Sequence, residues 1–373
     1  MRLRIVSCIV LAGLLLGAAL PSASGKATVS AAGPAAFFGI SPQTDLDSKD
    51  LRLMRRTGIG SLRFPIYWSL TEPAPGDFDW RATDAFLIST SGHGFGRLPV
   101  IWGSPSWVTR RPRPGSCGFS AARCEALQLP VHGPAQRRAW SDFLRALVER
   151  YGPAGEFWER HPELPSEPIR TWQIWNEPND HRFAEASVRS YVRLLRVTAP
   201  ALRSGDPGAG IVLGGLYATP PVEPSFDATT FLARLYRHRG VRRLFDGVAL
   251  HPYAVDPDEM ADRIEAVREV MRRNRDGRSG LYLTEFGWGS QTWAAGGDRF
   301  EPGPATQADY LRRAWEILLA NRRQWGLRTA YWFTWQDIPA ASTRCDFCDS
   351  MGLLDLDGLP KPALRRFAQA AHR

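Results

Sequence analysis

The chain has 373 residues, 44% of them hydrophobic with 14 Trp, which is enough to bury one large α/β core and too apolar for a disordered polymer. Its formal charge of +9 is almost entirely Arg, since Lys stands only at 26, 49 and 361, and the Arg residues are spread over helix-like segments. A nucleic-acid surface would need basic residues gathered on one face with aromatics between them, and the sequence has no such stripe.

The chain opens with Met1-Arg2-Leu3-Arg4, an apolar stretch over residues 5–20, and a small-residue exit over residues 21–25. A basic head, a short apolar middle and a small-residue end predict a secretory signal peptide over residues 1–25. The apolar stretch falls short of the roughly 20 residues a spanning helix needs, so export outweighs a retained anchor. Residues 26–373 are expected to form one secreted domain with no membrane insertion after cleavage.

Beyond the leader, short apolar runs alternate with segments of helical period. Strands are predicted at residues 36–40, 61–66, 98–102, 171–175, 211–215, 247–250, 281–284 and 329–333. Helices are predicted at residues 51–57, 81–89, 135–151, 184–198, 229–239, 257–273, 305–321 and 361–371. Continuous apolar strands separated by helices imply a parallel sheet buried on both faces. Eight such units predict a closed (β/α)₈ barrel. A doubly wound open sheet is the competitor, but no Gly-rich phosphate fingerprint follows the first strand.

The connections after Trp102, Phe286 and Trp335 are unusually long, and each follows a strand. In a barrel they share the C-terminal face, where active sites are built. Beyond the leader, Cys stands at 117, 124, 345 and 348. In an exported chain an even count favours disulfides, with Cys117–Cys124 and Cys345–Cys348 preferred among three pairings. A four-thiolate zinc site is the alternative reading.

Two glutamates end strands: Glu177 in Trp172-Gln173-Ile174-Trp175-Asn176-Glu177-Pro178-Asn179, and Glu285 in Leu283-Thr284-Glu285-Phe286-Gly287-Trp288. Surface glutamates are common, but both of these sit in apolar, Trp-rich segments where an unpaired charge is costly. Two carboxylates brought together from separate strand ends are what glycosidic bond cleavage needs. Indole faces stack on the flat C–H faces of sugars, which makes Trp102, Trp107, Trp68 and Trp288 candidates for the cleft wall, with Trp293 a weaker one.

Trp175-Asn176-Glu177-Pro178 on the fourth strand, together with Thr284-Glu285-Phe286-Gly287 on the seventh, resembles the clan GH-A glycoside hydrolases, families 39 and 5 above all. The resemblance extends to Gly352-Leu353-Leu354-Asp355 and Pro360-Lys361-Pro362 before the last helix. It implies a retaining hydrolase acting on a glycoside, oligosaccharide or polysaccharide, with Glu177 as acid/base and Glu285 as nucleophile. It also implies that Arg63 and Tyr253 hydrogen-bond Glu285, that Asn176 binds the sugar 2-hydroxyl, and that His251 orients sugar or carboxylate. Trp335, after the eighth strand, would be the platform under the sugar. No metal or organic cofactor is implied. The chain departs from family 5 where a strand-three His is common, holding Trp102 or Ser104 there, and it is expected to lack the β-sandwich domain of family 39. A transglycosidase using the same site and a non-catalytic carbohydrate-binding barrel are the alternatives.

Overall fold

The computed structural model describes residues 34–110, 120–184, 187–220, 225–291, 300–339 and 348–373. The expected signal peptide, Cys117, Cys345 and Trp293 lie outside the described residues. Among those described, no helix is long and apolar enough to cross a membrane.

Eight strands form a closed barrel. They are β1 (Phe38–Ile40), β2 (Ser61–Tyr67), β3 (Gly96–Trp102), β4 (Thr171–Asn176), β5 (Gly210–Tyr217), β6 (Gly247–His251), β7 (Gly280–Phe286) and β8 (Leu327–Trp332). Every pairing is parallel, and β1 bonds both β2 and β8 to close the ring. In chain order the helices are α1 (Ser48–Thr57), α2 (Trp68–Thr71), α3 (Arg81–Thr90), α4 (Ala121–Ala126), α5 (Pro134–Tyr151) and α6 (Glu156–Arg160). After β4 come α7 (Val188–Gly205), α8 (Ala228–Tyr236), α9 (Pro257–Arg273), α10 (Pro304–Trp325) and α11 (Pro362–Ala371).

Local chemistry sets the helix ends. Asp47 accepts from the backbone of Lys49 and Asp50 while Asp50 returns a bond to the Asp47 N–H, a reciprocal cap that starts α1. Asp256 caps α9, with Pro257 at its first position. Gly326, at φ 66°, ends α10 in the left-handed conformation that favours glycine. Several boundaries differ from the sequence reading by a few residues, those of β1 and α7 among them. Residues Pro34–Phe37 form a 3-10 turn rather than the start of β1. Helix α7 runs past Pro200, which is exposed and forfeits only its own backbone bond on the solvent side.

The two-residue alternation of the strands sorts their side chains. Leu98, Val212, Ala249, Tyr282 and Tyr331 pack together inside the barrel as an apolar floor. Two residues further along the same strand faces stand Arg63 above Ser61, Thr284 above Tyr282 and His251 above Ala249, joined by Gln173 of β4. The barrel interior therefore turns from apolar to polar toward its C-terminal end. Outside the ring, Leu62, Ile174, Leu250 and Leu283 bury against the helices.

Trp315 of α10 locks this outer layer, with ring centroids 5.9 Å from Phe37, 4.6 Å from Phe38, 5.3 Å from Phe286 and 5.3 Å from Phe367. Its indole N–H has no partner among the described residues, so its contribution is packing. Trp315→Ala is expected to cost about 3–5 kcal/mol, seen as a lower urea midpoint with unchanged slope.

Candidate active site

Alternation alone would turn Glu285 outward, because Leu281 and Leu283 face the helices. The β7–β8 register shifts between Leu283 and Phe286, and this irregularity re-aims Glu285 over the barrel mouth. On β4 the chain bends more sharply. Trp175 and Glu177 have φ of 71° and 40°, left-handed values that cost of order 1–3 kcal/mol each for residues with side chains. Buried contacts hold the bend: Trp175 Nε1 donates to the Phe183 carbonyl at 3.0 Å, and Tyr191 Oη donates to the Ile174 carbonyl at 2.8 Å.

Close approach by β5 needs two glycines. A Cβ on Gly214 would lie 2.8 Å from the Trp175 carbonyl oxygen and 2.7 Å from Pro178 Cδ, and one on Gly215 would lie 2.0 Å from His251 Nε2. Gly214-Gly215 is a feature the sequence reading passed over, although two glycines inside a strand signal a close backbone approach.

The two glutamates converge. Glu177, Glu285 and His251 each present a donor atom within 4.8 Å of the others. Glu285 Oε1 accepts from Arg63 Nη1 at 2.7 Å, and Oε2 accepts from Tyr253 Oη at 2.9 Å. Glu177 Oε1 lies 2.6 Å from His251 Nδ1, while its buried Oε2 has no partner among the described residues. A cation could in principle use this trio, but the oxygens of Glu285 and the Nδ1 of His251 are already engaged in hydrogen bonds.

Their surroundings drive the two carboxyl groups apart. Burial, then the negative charges of Glu285 and Asp180, raise Glu177 well above the ordinary glutamate range. Burial also pushes Glu285 upward, but opposing interactions with His251 and Arg63 and the bonds from Tyr253 and Arg63 outweigh it, so its pKa ends below that range. His251 is held down to about 3, chiefly by burial, so near neutrality it is uncharged and Arg63 supplies the standing positive charge. Burial and the charge of Glu285 raise the Tyr253 phenol, which keeps it a donor.

Arg63 also donates through Nη2 to Asn176 Oδ1 at 2.8 Å, through Nε to Gln173 Oε1 at 2.7 Å and through Nη1 to Ser41 Oγ at 3.3 Å. Arg63, Asn176, His251 and Tyr253 thus gather around the glutamate pair. Ser41, Gln173 and Thr284 join them, unforeseen from the sequence.

The indoles divide. Trp102 and Trp107 are partly exposed, Trp102 tilting against Tyr67 at 5.4 Å and Phe183 at 6.3 Å. Trp335, Trp68 and Trp288 are corrections to the sequence reading. Trp335 is fully buried and donates to Asp50 at the start of α1, so its ring offers no face to a ligand. Trp68, also fully buried, donates to Glu72 and stacks on Phe143. Trp288 donates to the Ala254 carbonyl from within the core. The residue beyond β8 that borders the site is Phe333, its ring 6.4 Å from that of Tyr253. Two surface hollows lie elsewhere between helices, one bordered by His132, Arg137 and Arg193, the other by Leu53, Arg56 and Leu364, and neither is lined by a carboxylate.

No known protein family and no curated protein matches the sequence. Solved structures do match in shape. A family 39 glycoside hydrolase from Bacteroides cellulosilyticus WH2 is 21% identical with a TM-score of 0.65, over 90% of this chain and 63% of that one. An exo-β-1,4-mannosidase from Opitutaceae bacterium strain TAV5 is 17% identical with a TM-score of 0.57, over 87% of this chain and 54% of that one. A family 5 enzyme from Streptomyces cattleya, in complex with Manβ1-4GlcNAc, is 17% identical with a TM-score of 0.64, over 90% of this chain and 80% of that one. The chain thus spans less than two thirds of the first two relatives, 63% and 54% of their lengths. The likeness is one of fold: the chain is an eight-stranded (β/α)₈ barrel of the kind found in clan GH-A families 39 and 5.

Proposed function

We propose that the protein is a retaining glycoside hydrolase. One observation carries the reading: two strand-end glutamates meet within 4.8 Å, one driven toward its protonated form and the other held as the anion. Retaining glycosidases need their two carboxyls only about 5–5.5 Å apart, one to attack the anomeric carbon and one to protonate the departing oxygen. Glu285, ionised beside Arg63, attacks. Glu177 gives its proton to the leaving oxygen, then takes one from the water that opens the glycosyl ester. The side-chain nitrogen of Asn176 is free of protein acceptors among the described contacts, which suits a bond to the sugar 2-hydroxyl.

The substrate is proposed to be a β-glycoside. The named mannosidase and the complex with Manβ1-4GlcNAc make β-mannosides the first to test, with β-xylosides and β-glucosides after them because similar folds include a β-xylosidase and a glucosidase. Residues 1–25 are proposed to direct export. Cys117–Cys124 and Cys345–Cys348 are proposed as loop staples; the disulfide-bonded state of Cys124 and Cys348 supports disulfides in these loops without naming their partners.

Reaction with a 2-fluoro aryl glycoside, followed by peptide mass spectrometry, is expected to leave an ester on Glu285 and none in Glu285→Gln. Glu177→Ala should slow substrates with poor leaving groups by about 10²–10⁴-fold, spare dinitrophenyl glycosides and respond to azide. An unmodified Glu285 together with no hydrolysis of any of the three β-glycosides would sink the reading.

The pH dependence has a definite sign. The rate falls on the acid side as Glu285 takes up a proton, below the ordinary glutamate range, and on the alkaline side as Glu177 loses one, above that range. Arg63→Met removes the positive charge at Glu285 and should move the acid limb of kcat/KM upward while leaving the alkaline limb closer to its place. An acid limb unmoved by that substitution would mean that Arg63 does not hold Glu285 ionised.

A further inference from the structure

Behind the glutamate pair lies a buried chain of hydrogen bonds whose direction can be read from one end to the other. The Arg63 guanidinium only donates, so the atom of Gln173 that it reaches at 2.7 Å is the carbonyl Oε1. The Gln173 amide nitrogen therefore faces the other way, donating to the Leu213 carbonyl at 3.3 Å and to Thr284 Oγ1 at 3.2 Å. Thr284 Oγ1 accepts there and has one hydrogen to give. Its remaining neighbour is His251 Nε2 at 3.0 Å. On the far side of that nitrogen lies Gly215, whose missing Cβ leaves room for the ring and supplies no polar group. Nε2 accepts, so the single proton of the neutral imidazole sits on Nδ1, where it is donated to Glu177 Oε1 at 2.6 Å.

We propose that Gln173 and Thr284 are positioning residues that fix His251 as the Nδ1–H tautomer and so place the acidic proton of Glu177 on Oε2, the oxygen with no partner among the described residues. The functional half of this statement rests on the proposed glycosidase reading. The opposite tautomer fails on two counts. Thr284 would accept from both sides and leave its own buried hydrogen without an acceptor, which burial makes costly. An unprotonated Nδ1 would then draw the Glu177 proton onto Oε1, away from any substrate. The charged groups around the imidazole are Glu177 from β4, Glu285 from β7, whose Oε2 is 3.6 Å from Nδ1, and Arg63 from β2, with the Tyr253 phenol beyond β6. Burial, helped by the charge of Arg63, outweighs the opposing pull of Glu285 and keeps His251 uncharged near neutrality.

The histidine itself reports the result. In the full chain labelled with ¹⁵N-histidine, the His251 signals are identified among the seven histidines by their loss in His251→Asn. The wild type should show a protonated Nδ1 and an unprotonated Nε2, unchanged between about pH 5 and 8. Thr284→Val removes the donor to Nε2, and Gln173→Glu turns the atom facing Thr284 into an acceptor for its hydroxyl hydrogen, so each should let the Nε2–H form emerge, while Thr284→Ser keeps the wild-type pattern. With a phenyl glycoside Thr284→Val should lower kcat by about tenfold or more with little change in KM, and should spare the dinitrophenyl substrate. A wild-type His251 protonated on Nε2 or on both nitrogens overturns the proposal, as does a pure Nδ1–H form in both Thr284→Val and Gln173→Glu. A chain that hydrolyses no glycoside would sink the enzyme reading and still leave the nitrogen signals to decide the relay.

Discussion

The guanidinium of Arg63 is the contact on which the rest of the site depends. It is 3% exposed, and an unpaired cation at such depth would be severely penalised. Its compensation comes from Glu285, Asn176, Gln173 and Ser41, which are carried by β7, by β4 and by the turn beyond β1. A planar fork satisfied on every side has one orientation, so these parts of the barrel are held in register at the mouth. The fork also ionises one carboxylate selectively. Glu285 touches it, whereas Glu177 meets only a neutral imidazole, and the low-dielectric interior enlarges that difference.

The strain at the end of β4 belongs to the same arrangement. Trp175 and Glu177 take left-handed backbone angles on either side of Asn176, which turns the amide toward Arg63 and the carboxylate toward His251. Such angles persist only where the surroundings over-determine them. Here a buried indole, the Tyr191 hydroxyl and the glycine pair of β5 do so. Asn179 extends the clamp, bonding the backbone of Tyr217 and the Phe226 carbonyl, so the loop that carries Glu177 is tied to the end of β5.

How much of this could be read from the chain depended on whether one dimension or three were needed. Eight apolar runs broken by helical periods gave the barrel, because burial on both faces writes itself directly into composition. Glu177 and Glu285 stood out because a charge inside a Trp-rich strand end is expensive unless it has work. The indoles were harder. Trp335, Trp68 and Trp288 follow strands as Trp102 does, but which face of the chain an indole turns to depends on helices far away in sequence, and all three turn inward. Gln173 and Thr284 were written in the sequence yet passed unnoticed, although alternation puts Gln173, His251 and Thr284 on one inward face. Polar residues at inward positions near the ends of barrel strands were the available signal.

Nothing intrinsic distinguishes Glu177 from Glu285. Both are glutamates at strand ends, both are largely enclosed, and burial pushes both toward the neutral acid. What separates them is which strands stand beside them. β2 brings a cation to Glu285, and the loop after β6 adds a phenol that donates to it. β6 itself brings Glu177 an imidazole that burial keeps uncharged and that β7, through Thr284, orients. Exchanging the two neighbours would exchange the two protonation states with the glutamates left in place. The division between acid and carboxylate is therefore a property of barrel topology, of which strand end lies next to which, and the side chains that impose it are Arg63, Tyr253 and His251.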